Sequence, residues 1–158
     1  YIGNYLGVFV VTAGRKLEDM AVKHREDGDE YRSLLCQTVA HRLAEAATEW
    51  AHRYVATTLW GYADDIAAPV PGIRPAIGYP SMPDQGIVHV LDRILDYEEF
   101  GIDVSEHGSL YPTASTTGLI LPNPDSRYFS VGTIGVDQRK DYAHRRGLTL
   151  DQLSVFLP

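Results

Sequence analysis

Between Pro69 and Pro83 the chain reads PVPGIRPAIGYPSMP, a stretch with five prolines, two glycines and a single cation, Arg74. Each proline removes a backbone donor and fixes φ, so the segment can neither continue a helix nor run through the interior of a sheet. Flexible linkers are polar and rich in Ser and Gly, whereas here Val70, Ile73, Ile77 and Met82 interleave with the prolines. The segment reads as an ordered, packed loop whose backbone groups seek partners in the rest of the chain.

The length of 158 residues predicts one domain over 1–158, able to bury about two-thirds of its unfolded surface without a disulfide or metal. No segment approaches the roughly 18 apolar residues of a membrane span, so a soluble chain is expected. The opening YIGNYLGVFVVTAG lacks the basic region of a signal peptide, and its abrupt start suggests a domain without its N-terminal part. The single cysteine, Cys36, excludes an internal disulfide and fits a reducing compartment, so a cytoplasmic location is expected. Lying in a helical pattern beside Leu34 and Leu35, it reads as an inert thiol. The net charge of -7 argues against nucleic acid and anionic membranes as partners.

Leu6–Thr12 is β-branched and aromatic and predicts a strand ended by Gly14. Leu17–Arg32 is densely charged and reads as a solvated helix and turn, with Gly28 as the break. Leu35, Val39, Leu43, Ala46, Trp50 and Tyr54 then recur at helical spacing and predict a long amphipathic helix with these residues as its buried face. Its opposite stripe carries His41, Glu45, Glu49 and His52. Glu49-x-x-His52 is half of a carboxylate-bridged di-iron signature, but no second Glu-x-x-His exists, which disfavours a metal site on Glu45, Glu49 and His52.

After the proline loop, Asp84 is the expected N-cap of a helix burying Ile87, Leu91, Ile94 and Leu95, with Gly101 as its stop. Strands are expected at 102–104, 113–121 and 128–134, the last two forming a hairpin across PNPDS. Asp137 opens a short basic helix closed by Gly147, and Thr149-x-x-Gln152 is a capping box for a final helix packing Leu153, Phe156 and Leu157. Helices and strands do not alternate strictly. The fold class is therefore α+β, a single mixed domain with a twisted antiparallel sheet and flanking helices.

No glycine-rich dinucleotide fingerprint, P-loop lysine or serine nucleophile elbow is present. The six histidines (His24, His41, His52, His89, His107 and His144) lack ligand spacing. Catalysis by the chain's own side chains is not expected, and binding is. In RPAIGYP, Arg74 offers a fork for a carboxylate, Gly78 permits close approach of backbone to a ligand, and Tyr79 can stack on a ring. The alternative, equally open on the residues alone, is that Arg74 pairs with an acidic residue and Tyr79 fills the core.

The stretches HRLAEA (41–46), LWGYA (59–63), GIRPAIGYPSMPDQ (72–85), YPTASTTGL (111–119), PDSRYF (124–129) and DQRKDYAHRRG (137–147) occur in order. Together they resemble the C-terminal activation domain of cobalamin-dependent methionine synthase, over essentially the whole chain. The resemblance implies a domain that binds S-adenosylmethionine and presents its methyl group to cob(II)alamin, held by a neighbouring domain. An electron from flavodoxin or a related reductase completes the reactivation of this methyltransferase of methionine biosynthesis. By position it implies Arg74 on the methionine carboxylate, Pro75, Ala76, Gly78 and Tyr79 along the same ligand, Tyr128 and Phe129 as a second contact, and Glu45 near the sulfonium. No catalytic residue is implied, because cobalt is the nucleophile and a neutral thioether leaves. Two departures stand out. Only DDIAAPVP lies between WGYA and GIRP, where the family has a longer segment with a glutamate, and the family's domain begins upstream of Tyr1, where it supplies an aspartate contact. The rival expectation is a non-catalytic interaction module of the same fold that docks a redox partner or cobalamin domain.

Overall fold

A computed structural model describes residues 5–65 and 69–157. The start of the chain at 1–4, and 66–68 of the short segment before GIRP, lie outside the described residues. The expected first strand forms as β1 (Gly7–Thr12), and the charged stretch after it forms α1 (Arg15–Glu26). Gly28, at φ 78°, makes the turn into α2 (Glu30–Tyr54), whose N-cap Asp29 accepts a hydrogen bond from the Arg32 N–H at 3.0 Å. A wider helical turn, Val55–Leu59, ends α2. After the proline loop come α3 (Ile87–Leu95), β2 (Asp103–Val104), β3 (Leu110–Tyr111), β4 (Ser115–Ile120), α4 (Val136–Arg146) and α5 (Leu150–Phe156).

The sheet joins segments more than a hundred residues apart in sequence. β1 pairs antiparallel with β4, in the register Gly7↔Ile120 to Thr12↔Ser115, and β2 pairs separately with β3. The expected hairpin between 113–121 and 128–134 does not form, and 128–134 is not a strand. The physical reason is that both edges of β4 are taken. One carries β1. Along the other runs the proline loop, where Ile73 exchanges hydrogen bonds with Leu121 (3.0 and 2.9 Å) and the Ile77 N–H donates to the Thr117 carbonyl at 3.0 Å. Pro75 sits opposite Leu119, accepting from its N–H at 3.0 Å and having no N–H to return. A proline is tolerated there because the loop is the sheet's edge. The 128–134 segment instead fastens onto the loop, with the Val131 N–H donating to the Pro80 carbonyl at 2.9 Å.

The core joins α3 to this sheet. Ile77, Val88, Leu91, Tyr97 and Ile102 are buried together, with Val8, Val10 and Leu119 packed on them. Ile94, expected inside, is exposed, because the α3 face turned to the sheet is centred on Val88 and Leu91. Gly101 closes the short 3-10 turn Tyr97–Phe100, and α3 itself ends at Asp96 in a left-handed conformation. Asp84 caps no helix. It is buried, and its carboxylate accepts from Tyr142 Oη (2.7 Å), Arg146 Nε (3.0 Å) and the Gly86 N–H (2.8 Å), tying the end of the loop to α4. Burial first, and the bond to Asp84 second, push the Tyr142 hydroxyl up to about 12. The Thr149–Gln152 capping box forms as expected, and Leu153 and Leu157 pack with Ala143 in a second cluster.

The largest departure concerns α2. Its length is as expected, but the face that meets the protein is Ser33, Ala40, Ala44, Thr48 and His52, while Leu35, Val39, Leu43, Trp50 and Tyr54 are exposed. Small side chains let the helix axis approach the sheet closely, which the bulky stripe would prevent.

Candidate functional site

A groove of about 1070 Å³ lies between α2 on one side and the proline loop with β4 on the other, with Tyr128–Ser130 also on its lining. Its size is in the upper range of small-molecule sites. From α2 it takes His41, Ala44, Glu45 and Thr48, and from the loop Arg74, Pro75, Ala76, Ile77, Tyr79 and Pro80. The polar stripe of α2 therefore turns its His41–Thr48 part toward the groove.

Of the eight sequence-derived site residues, seven line this groove: Glu45, Arg74, Pro75, Ala76, Tyr79, Tyr128 and Phe129. Gly78 does not form its wall. At φ 85° it turns the chain between Ile77 and Tyr79, and a Cβ there would collide with the Gln85 amide. The Gly78 N–H donates to the Met82 carbonyl at 2.9 Å, and Met82 donates back to Tyr79 at 2.8 Å, so the turn is closed on itself. Gly118 has the complementary role. A Cβ there would meet the Pro75 carbonyl, Ala76 Cα and the Phe9 ring, so only glycine lets the loop lie this close to β4.

Neither feature of the alternative reading for Arg74 and Tyr79 is found among the described residues. The Arg74 guanidinium has no hydrogen bond or ion pair among the described residues, and Tyr79 is 64% exposed. The Arg74 backbone is fixed by Tyr128, whose hydroxyl accepts from its N–H at 3.0 Å. Tyr128 and Phe129, both mostly exposed, join Tyr79 as an aromatic rim. Glu45, on the groove lining, pairs with Arg42 at 3.2 Å, and both side chains are mostly exposed.

The charge on Arg74 is felt across the site. The Glu49 carboxyl lies below its ordinary range, through the hydrogen bond and charge of Arg53 and, as a smaller contribution, through Arg74. Burial lowers the His52 imidazole, and the charges of Arg74 and Arg53 lower it further. His52 Nε2 is 3.2 Å from Tyr62 Oη, which donates to the Pro71 carbonyl at 3.4 Å, so a neutral histidine braces the start of the loop. Glu49 is held by Arg53 at 2.8 Å, and among the described residues no three His, Cys, Asp or Glu side chains cluster as metal ligands.

Sequence reasoning missed the β4 side of the groove, Thr113–Thr117, and His41 and Thr48 on α2. The helical spacing of His41, Ala44, Glu45 and Thr48 was the available signal.

Fold and groove together define an α+β domain in which a proline-rich loop and a helix face one another across a cleft that, among the described residues, holds a cation without an ion-pair partner and an aromatic rim. The family model described as "Vitamin B12 dependent methionine synthase, activation domain" matches residues 1–147, and the chain belongs to that family. The crystal structure of the MetH reactivation domain bound to AdoHcy is similar to 96% of this chain, with 32% identity and a TM-score of 0.89. The match covers 49% of that chain, so this one spans about half its length. No helix among the described residues is long and apolar enough to cross a membrane.

Proposed function

We propose that this chain, acting as one cytoplasmic domain, binds S-adenosylmethionine in the groove and presents its methyl group to cobalamin carried by a neighbouring domain of methionine synthase. The observation that carries this reading is the unpaired Arg74 guanidinium beside an aromatic rim, in a fold whose solved relative was crystallised with AdoHcy. The ligand's chemistry fits the residues present. Its carboxylate suits the Arg74 fork, its adenine suits Tyr79, Tyr128 and Phe129 with the backbone of Ala76, and its sulfonium is favoured by the negative charge of Glu45. Gly78 keeps Tyr79 aimed at the groove.

Cobalamin supplies the cobalt that accepts the methyl group, with an electron from flavodoxin or a similar reductase. The protein's own part is positioning, since a neutral thioether leaves and no general base is needed. Holding reacting groups in line is worth several kcal/mol of barrier. Calorimetry tests the reading. S-adenosylmethionine is expected to bind the chain, and Arg74→Ala to weaken binding by more than about tenfold with helicity unchanged. A folded chain that docks a redox partner without ligand dependence, and is indifferent to Arg74→Ala, would be an interaction module instead.

A further inference from the structure

We infer that Gln85 is a positioning residue of the groove. Its side-chain amide clasps the turn that carries Tyr79 to the turn between β2 and β3, and so fixes two of the groove's walls relative to one another. The inference rests on the groove being the S-adenosylmethionine site, and it gives a role there to a residue that neither the loop's chemistry nor the family resemblance singles out.

Two tight turns face one another across Gln85. The first is headed by Gly78, at φ 85°, and is closed by the Gly78 N–H on the Met82 carbonyl (2.9 Å) and the Met82 N–H on the Tyr79 carbonyl (2.8 Å). The second joins β2 to β3 and contains Gly108, at φ 79°. There the Gly108 N–H donates to the Ser105 carbonyl and the Ser105 N–H to the Ser109 carbonyl, both at 2.9 Å. Each turn holds its shape with its own backbone bonds. What those bonds do not fix is where one turn stands against the other.

Gln85 fills the space between them. Its Nε2 donates to the Gly108 carbonyl at 2.8 Å, while its Oε1 lies so close to Gly78 that a Cβ there would collide with it. On the other side, a Cβ at Gly108 would come within 2.7 Å of the Gln85 carbonyl oxygen and 3.0 Å of its Cγ. The two glycines therefore leave a slot for one side chain. A primary amide suits it, because it can donate to a carbonyl at one side and rest its oxygen against a bare Cα–H at the other. Among the described residues, no other hydrogen bond joins the two turns.

The Gln85 backbone is anchored without the side chain, its N–H donating to the Phe156 carbonyl and its carbonyl accepting from the Val88 N–H, each at 3.1 Å. The side chain acts on the groove instead. Gln85, Tyr79 and Pro80 line it from the first turn, and Ser109 and Leu110 line it from the chain that leaves the second. A site whose walls are loosely supported loses affinity even with every contacting residue present.

The test compares the native 158-residue chain with Gln85→Met and Gln85→Glu. The first keeps the side chain's length without an amide, and the second keeps its shape without the donor. Calorimetry with AdoHcy is expected to show binding weakened roughly fivefold in both. The spectroscopic signature is the Gly108 amide, which does not line the groove: it is expected to shift on AdoHcy binding in the native chain and to lose that response in both variants. Melting temperature is expected to fall by no more than about 4 °C. Native affinity in the variants with Gly108 still responding would overturn the inference. A lowered melting temperature with affinity unchanged would do the same, as would unfolding of both variants, since each makes Gln85 a structural residue only. If AdoHcy moves no groove amide in the folded native chain, the groove reading itself falls, and this inference with it.

Discussion

Arg74 is partly buried and fixed through its backbone, and among the described residues its guanidinium has no hydrogen bond or ion pair, which leaves its fork free for a carboxylate ligand. Replacing it with alanine is expected to remove about 1.5–3 kcal/mol of ligand binding. Arg74→Lys keeps the charge without the fork and should fall between the two in calorimetry. Tyr128→Phe removes the acceptor for the Arg74 N–H and should weaken binding by about 1 kcal/mol, roughly fivefold, with little change in melting temperature. His52 gives a pH signature. Burial, Arg74 and Arg53 lower its pKa while Tyr62 is its hydrogen-bond neighbour, so the unfolded chain takes up a proton on His52 at higher pH than the folded one does. Its contribution to stability is therefore complete above about pH 6.5 and declines as pH falls below it. Thermal melts from pH 7.5 to 5 should show a steeper loss in the native chain than in His52→Gln, and equal slopes would remove His52 from this role.

At the scale of elements, the site depends on how closely the proline loop lies along β4. Gly118→Ala would drive a methyl group into the Pro75 carbonyl and Ala76. Overpacking of this kind costs about 1–3 kcal/mol, and since the displaced segment carries Arg74, melting temperature and ligand affinity should fall together. A variant that melts like the native chain would show that the loop has room to spare. This dependence also explains which elements could be read in advance. α2, α4 and the Thr149–Gln152 box rest on local spacing and capping, and they form where expected. The edge partners of β4 could not be read, because β1 lies more than a hundred residues away and the loop's own prolines disguise an edge segment. The buried face of α2 was misjudged for a related reason. Periodicity identifies an apolar stripe but not what covers it, and here a stripe of alanine, serine and threonine meets the sheet.

For the molecule as a whole, the unusual chemistry of the loop made Arg74 and Tyr79 legible as groove residues, whereas Pro75, Ala76, Glu45, Tyr128 and Phe129, which also line the groove, were implied only by the family resemblance. What the sequence could not convey is that α2 serves two surfaces, its small and polar side closing the groove while its bulky side stays bare. This chain, which matches about half the length of the solved relative, carries the groove described above and, among the described residues, a sheet edge without a partner strand. The most direct measurement is amide NMR on the labelled chain titrated with AdoHcy. Shifts are expected to cluster at Ala76–Tyr79, Tyr128 and Phe129, with smaller changes near Glu45. A folded chain showing no shifts at saturating ligand, or shifts confined to residues outside the groove such as Met82 and Tyr142, would contradict the assignment of this groove.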